Sequence, residues 1–175
     1  MRKTVALLAL VGALATVLLV AALPAVSATN SGIINGSFQT CDLTGWMATP
    51  ATNAAVGVTG GGYDGFGACQ GYISTGSSGP DVYSYLSNQQ FWATAGTKVT
   101  VYAWFGNDCG FDYAYVVFDG YAQGVSCGIG WGLYGRTTTY TGWHQFYAEA
   151  SNGFDTLISS TLYIDTLKAS GLHKV

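Results

Sequence analysis

Val99, Val101, Ala103 and Phe105 alternate residue by residue with Thr100, Tyr102 and Trp104. A period of two sends successive side chains to opposite faces of an extended chain, and β-branched and aromatic residues suit a pleated, half-buried surface. This alternation constrains the fold more than any other feature. It makes residues 97–105 a strand with one apolar face and one face of hydroxyls and rings. Shorter runs of the same character recur at 54–59, 68–74, 82–91, 113–118, 121–126, 137–150 and 157–167, with glycine-rich turns between them. No window beyond residue 28 carries a helical period of useful length. Many short strands with such turns predict an all-β, two-sheet antiparallel β-sandwich. Residues 97–105 and 113–118, joined by a polar Gly-containing loop, read as two antiparallel strands of one hairpin. Residues 31–39 read as a short first strand, and the Gly-alternating run 128–135 as a loop.

The first 28 residues look different. Arg2-Lys3 precede an apolar stretch from Val5 to Leu23, Pro24 breaks any helix, and Val26-Ser27-Ala28 fits a small-residue cleavage site. This predicts a signal peptide over 1–28, a domain over 29–175 and a secreted protein. The stretch is also long enough to cross a bilayer as a retained anchor, but the charged start, the proline and the small residues favour removal, with no stable membrane insertion afterwards. Without Arg2 and Lys3, four of the six basic residues face nine acidic ones. So few cations exclude binding driven by phosphate neutralisation, and with it nucleic acid as a partner.

Cys41, Cys69, Cys109 and Cys127 are an even number in an exported chain, which predicts two disulfides. Three pairings exist. Cys109 and Cys127 flank the expected hairpin and the strand after it, which favours Cys109–Cys127 and leaves Cys41–Cys69. Without a Cys-x-x-Cys spacing and with two His in the whole chain, a zinc site is not expected.

Asn35-Gly36-x-Phe38 followed by Leu43-x-Gly45-Trp46, Ala95-Gly96-Thr97 before an alternating strand, Val117-Phe118-Asp119-Gly120, a late strand led by Trp143, and Tyr163-Ile164-Asp165 near the end form a series along the chain. The series resembles the cellulose- and xylan-binding type of carbohydrate-binding module within the galactose-binding-like superfamily. That resemblance implies a jelly-roll sandwich, a lectin-like role and a structural calcium between first and last strands. Carried over, the calcium positions are Gln39 and Asp165 with neighbouring carbonyls. The sequence departs from the family here, with Gln39 in place of Glu and Thr166 in place of a second Asp, which removes two charges. The alternative for Asp165 is a hydrogen bond to the first strand. Asp108 with Asp112 is a second, weaker metal candidate.

A hydrolase needs a titratable pair or triad. After residue 28 the chain has one Glu, Glu149, and its Asp residues fall mostly at turns or strand ends, where Asp forms turns. His144 reads as a surface residue and His173 lies in the tail. No catalytic constellation emerges, so no enzyme is expected. Binding is better provided for, with five Trp and twelve Tyr. Such rings stack on the C–H faces of a sugar while phenols and amides bond its hydroxyls. Phe38, Trp46, Phe105, Phe118 and Trp143 are expected in the core. Tyr102, Trp104 and, by matching parity, Tyr115 are expected to line a concave face. Trp131 and Tyr134 are expected as exposed platforms or a lid, with Tyr63 and Phe66 as a lesser pair and Gln89, Asn107 and Gln123 as polar partners. The expected function is that of a monomeric, non-catalytic carbohydrate-binding protein recognising a poly- or oligosaccharide. The rival readings are a structural or adhesive surface protein and an inhibitor of a secreted enzyme.

Overall fold

Among the described residues, alternation along the chain is realised as twelve strands in the computed structural model: β1 (Trp46–Thr49), β2 (Val56–Gly60), β3 (Cys69–Ser74), β4 (Val82–Asn88), β5 (Phe91–Ala93), β6 (Lys98–Gly106), β7 (Tyr113–Phe118), β8 (Tyr121–Gly124), β9 (Gly132–Thr137), β10 (Gly142–His144), β11 (Phe146–Asn152) and β12 (Thr161–Ser170). The structure describes residues 32–63, 69–76, 82–88, 90–107, 111–153 and 159–170, which fall within the compact unit Ser31–Val175. The segment 1–28, Phe66, Gln89, Asp108 and Cys109 lie outside the described residues. A front sheet runs β1-β4-β11-β7-β8, a back sheet runs β2-β3-β12-β6-β9, and β5 pairs with β10 in a short ribbon. All these pairings are antiparallel. The chain is a two-sheet, all-β sandwich of the jelly-roll type.

The core forms where the inward rows of the two sheets meet. Val99, Val101, Ala103 and Phe105 of β6 are buried, as their alternation requires, against Leu86, Val116, Phe146 and Ala148 among others. Phe38, Trp46, Phe105 and Phe118 are all core residues, as expected. Phe38 stacks on Trp46 with ring centroids 4.7 Å apart, and Trp46 meets Phe146 edge-on at 6.1 Å. The Trp46 indole N–H donates to the Asn35 carbonyl at 2.9 Å, so the buried ring leaves no polar atom unpaired. Gly71 admits this cluster, because a Cβ there would lie 2.5 Å from the Phe38 ring.

Several expectations are corrected. Residues 32–39 form turns and not a strand: Asn35 and Phe38 take left-handed φ values of 47° and 51°. The segment is held instead by the Leu167 amide, which donates to the Gly36 carbonyl at 2.8 Å. The expected hairpin does not exist either. β6 lies in the back sheet between β12 and β9, and β7 lies in the front sheet between β11 and β8. Each carries an apolar row, so the two strands satisfy those rows by facing each other across the core. The tight hairpin is β7–β8, turned by Asp119-Gly120 with φ values of 49° and 76°, both positive as a two-residue turn demands. The run read as a loop becomes strand β9 from Gly132 onward.

Two neighbours on β10 exchange their expected places. His144 is 2% exposed, while Trp143 is 53% exposed and stands outside the core. The parity of β10 decides this, since an inward Gly142 and His144 leave Trp143 outward. The His144 Nδ1 lies 2.7 Å from an Asp119 carboxylate oxygen and its Nε2 lies 3.2 Å from the Tyr140 carbonyl. Its ring is stacked on Tyr140 at 4.4 Å. Cys41 and Cys69 form the expected disulfide, tying the loop before β1 to the start of β3. Cys127 is disulfide-bonded as well.

Candidate functional site

Two outward faces carry rings, and they differ in what the rings touch. On the back sheet, Tyr102 and Trp104 of β6 share a face with Tyr163 of β12 and Tyr72 of β3 through directly opposed positions. Trp131 lies beside Trp104 at 6.3 Å, and Tyr163 stacks on Trp104 at 5.4 Å. Tyr63 comes in from the glycine-rich segment after β2 and covers the Tyr102 ring, with centroids 3.5 Å apart and planes within 13°. It also meets Trp131 at 6.0 Å. A hydrogen bond between the two phenols raises the pKa of the Tyr63 hydroxyl. The structure therefore gathers Tyr102, Trp104, Trp131 and Tyr63 on one face, with Tyr63 lying directly over Tyr102. Tyr134 does not join them. It lies opposite Val101 on the inward side of β9 and packs against the core.

Asp165 explains how Tyr63 is held. It is buried on this same side, opposite Tyr102, and its two carboxylate oxygens accept the Tyr63 amide at 2.9 Å and the Thr166 amide at 2.6 Å. Gln39 belongs to a different place, a cleft along residues 33–40 and Thr166–Lys168, where its amide donates to the Ser37 carbonyl. Calcium asks for six to eight oxygens, usually from several carboxylates. Here one neutral amide and one carboxylate already spent on backbone amides do not fit that demand. No group of three or more His, Cys, Asp or Glu side chains suited to a metal occurs among the described residues. Asp112, the weaker candidate, is buried and accepts from Thr75 and the Ser160 amide, both at 3.1 Å.

The front sheet offers rings of another kind. Tyr115, expected beside Tyr102, instead faces outward on β7, on the opposite side of the sandwich. It lies directly opposite Glu149 of β11, which in turn lies opposite Tyr85 of β4. Opposed side chains on neighbouring strands stand about 5 Å apart at Cβ, so Tyr85, Glu149 and Tyr115 form one row across three strands. Thr49 extends it on β1 and Gly124 on β8. A second row holds Met47, Ser87, Tyr147 and Val117, and a third holds Tyr83, Ser151 and Tyr113. Tyr83 and Tyr85 are 6.3 Å apart and Tyr85 and Tyr147 are 6.0 Å apart. Tyr83 and Tyr85 are stacked, Tyr147 meets Tyr85 edge-on, and all three rings are half-buried on the outward side. A groove of about 330 Å³ runs beside Tyr113 and Tyr115 along residues 124–127.

Glu149 is the unusual member. It is half-buried between tyrosines and, among the described residues, makes no side-chain hydrogen bond or ion pair. Loss of solvent pushes its carboxyl pKa up, and the same burial, reinforced by the Glu149 charge, raises the phenols of Tyr85 and Tyr147. A raised carboxyl pKa means the folded state holds this proton more tightly than the unfolded chain. Stability from this group is therefore present below the ordinary Glu range and falls as pH rises through the raised value. Glu149→Gln should melt at a higher temperature than the wild type at pH 7, and the gap should close as pH drops below the ordinary Glu range. Paired thermal melts across pH 3 to 8 check this; a gap that does not vary with pH refutes it.

Sequence reasoning missed Tyr83, Tyr85, Tyr147 and Glu149. Their signal was present in the shared parity of 83 with 85 and of 147 with 149 in two alternating runs. Gln123 and Asn107, expected as ligand partners, have structural roles. Gln123 donates to the Gly135 carbonyl at 2.9 Å, linking β8 of the front sheet to β9 of the back sheet, and Asn107 reaches the Thr161 hydroxyl at 3.5 Å.

No protein-family profile matches this sequence, and no curated protein matches it. Solved structures do. An enzymatically active domain of bacteriophage CBA120 tailspike protein 4 aligns over 79% of this chain and 21% of its own at 13% identity, with a TM-score of 0.53. A structure described for the promiscuous specificity of carbohydrate-binding modules from the β-sandwich superfamily aligns over 83% of this chain and 64% of its own, at 15% identity and a TM-score of 0.55. TmCBM61, solved with β-1,4-galactotriose, aligns over 79% of this chain and 97% of its own at 14% identity and a TM-score of 0.53. The chain thus spans about a fifth of the tailspike domain, under two-thirds of the second structure and nearly all of the third. The architecture built by its alternating strands is the β-sandwich fold of carbohydrate-binding modules.

Proposed function

We propose that this is a secreted, monomeric, non-catalytic carbohydrate-binding protein whose front face holds a poly- or oligosaccharide. One observation carries the reading: a half-buried carboxylate with no described partner, Glu149, stands in a row between Tyr85 and Tyr115, next to Tyr147. Withdrawing a charge from water costs free energy unless a partner compensates it, and a sugar hydroxyl donating to the carboxylate supplies such a partner. The surrounding phenol rings offer apolar surface to the C–H faces of the same sugar and hydroxyls to its edge. Glycoside hydrolysis in most families uses two carboxylates flanking the bond. Asp112, Asp119 and Asp165 are each hydrogen-bonded elsewhere, to Thr75, His144 and Tyr63 respectively, which supports binding without cleavage. The Cys41–Cys69 disulfide supports an extracellular setting.

The test is retention. The protein is incubated with insoluble cellulose, xylan, chitin and bacterial cell wall, and in parallel applied to a glycan array. Removal from solution by at least one polymer, reversed by its soluble fragments, is expected, with no reducing ends released. No retention and no array signal would refute the reading.

A further inference from the structure

We propose that Trp92 and Trp143 form a second sugar-stacking platform that lengthens the front face, so that the ligand is an extended, uncharged polysaccharide strand and not a terminal mono- or disaccharide. This rests on the reading of the front face given above and adds the length and charge class of what it takes. The two residues lie directly opposite each other on β5 and β10 and are 42% and 53% exposed, the most open of the five tryptophans. They meet edge to face at 5.6 Å, which braces the pair and leaves ring surface open to solvent.

The platform continues the tyrosine face. Along β10 and β11 the outward parity runs unbroken: His144, Phe146 and Ala148 are buried, while Trp143, Gln145, Tyr147 and Glu149 are exposed or half-buried between them. The Asp119 amide donates to the Gln145 carbonyl at 3.0 Å and the Gln145 amide donates back to the Asp119 carboxylate at 2.9 Å. The β11–β7 pairing is thereby carried through Gln145 toward the ribbon. At about 3.3 Å per residue, Trp143 stands roughly 13 Å along the strand from Tyr147 and roughly 20 Å from Glu149. That span exceeds one sugar ring and requires a chain.

The surroundings select the chemistry. Residues 90–95 and 139–145 contain no Lys, Arg, Asp or Glu, and the Asp119 carboxylate that reaches the ribbon is taken up by the His144 ring and the Gln145 amide. Besides Tyr140 and Ala95, the exposed neighbours are hydroxyls and amides: Thr94, Thr139, Thr141, Gln90 and Gln145. An interfacial membrane contact favours Lys and Arg beside the aromatic residues, and this ribbon has none. A neutral, hydroxyl-rich partner matches it.

The experiment is a titration by calorimetry of the wild type and of Trp92→Ala/Trp143→Ala with oligosaccharides of increasing length, from disaccharide to octasaccharide, cut from the polymer that retains the wild type. The double variant is expected to match the wild type on short fragments and to bind the longest about tenfold more weakly, a loss of about 1.4 kcal/mol. Trp143→Tyr, which keeps a ring, is expected to retain most of the gain with length. Equal affinities at every length overturn the proposal, and so does a uniform loss at every length, which marks a damaged fold or front face. Sedimentation and flotation with neutral lipid vesicles are run beside it. A variant that loses self-association or vesicle binding while its saccharide affinities hold overturns the proposal in favour of a second copy or a lipid surface. A wild type that binds no glycan overturns the front-face reading itself and takes this extension with it, a pattern distinct from all the others.

Discussion

Replacing Tyr85 and Tyr147 together by Ala is expected to weaken polysaccharide binding about a hundredfold, close to 2.8 kcal/mol, while leaving the protein folded. Both rings are half-buried on the outward side of the front sheet, and each is opposite a residue that does not need it: Tyr85 opposite Glu149, Tyr147 opposite Ser87 and Val117. Truncation removes two of the rings around the Glu149 carboxylate, one across from it on β4 and one beside it on β11, and floods it with water. A hydroxyl that bonded a desolvated carboxylate then competes with solvent, so the loss exceeds that of the contact area alone. Depletion assays on the retaining polymer, with circular dichroism as a control, read the effect. Binding at the wild-type level with an intact fold removes the front face from consideration. The same assay on Trp104→Ala separates the two faces, since the back-sheet rings are expected to contribute nothing measurable to binding.

Trp46→Ala is expected to cost about 4 kcal/mol of folding stability, as large aromatic truncations in cores do. Against a typical total of about 5–15 kcal/mol, that loss brings the domain close to unfolding at 37 °C. Trp46 fills the space between Phe38 and Phe146 and closes the Asn35 carbonyl, so its removal opens a cavity and strands a polar group at once. Denaturant midpoints check the figure. A change below about 1 kcal/mol would mean that the turn segment 32–39 is not held by this ring. The tryptophans at 92 and 143 give the contrast, since their truncation should leave the midpoint nearly unchanged.

The two-sheet sandwich was legible because alternation in β6, β4 and β11 names its buried residues without reference to partners. What alternation does not encode is which strand lies beside which. A row such as Val99, Val101, Ala103 and Phe105 is equally satisfied by a neighbour in its own sheet or by a strand facing it across the core. The polar Gly-containing loop after β6 favoured the first solution, and the chain takes the second. That error carried Tyr115 to the wrong face. The same limit governed the site. Tyr102 and Trp104 have the parity and composition of a platform, but only the return of Tyr63, anchored by the Asp165 carboxylate, reveals that one ring is already covered. Glu149 was noted as the lone glutamate after residue 28, yet its meaning depends on Tyr85 and Tyr115, which are 64 and 34 positions away in sequence and become its neighbours only through strand pairing. His144 and Trp143 were exchanged because a His beside a Trp carries no sign of which is turned inward.

Asp165 has one more effect. By clasping the amide of Tyr63 it keeps a ring lying over Tyr102 on the back sheet. With the proposed binding confined to the front face, a molecule coats one fibre and cannot bridge two, so a suspension of fibres treated with this protein is expected to stay dispersed instead of clumping.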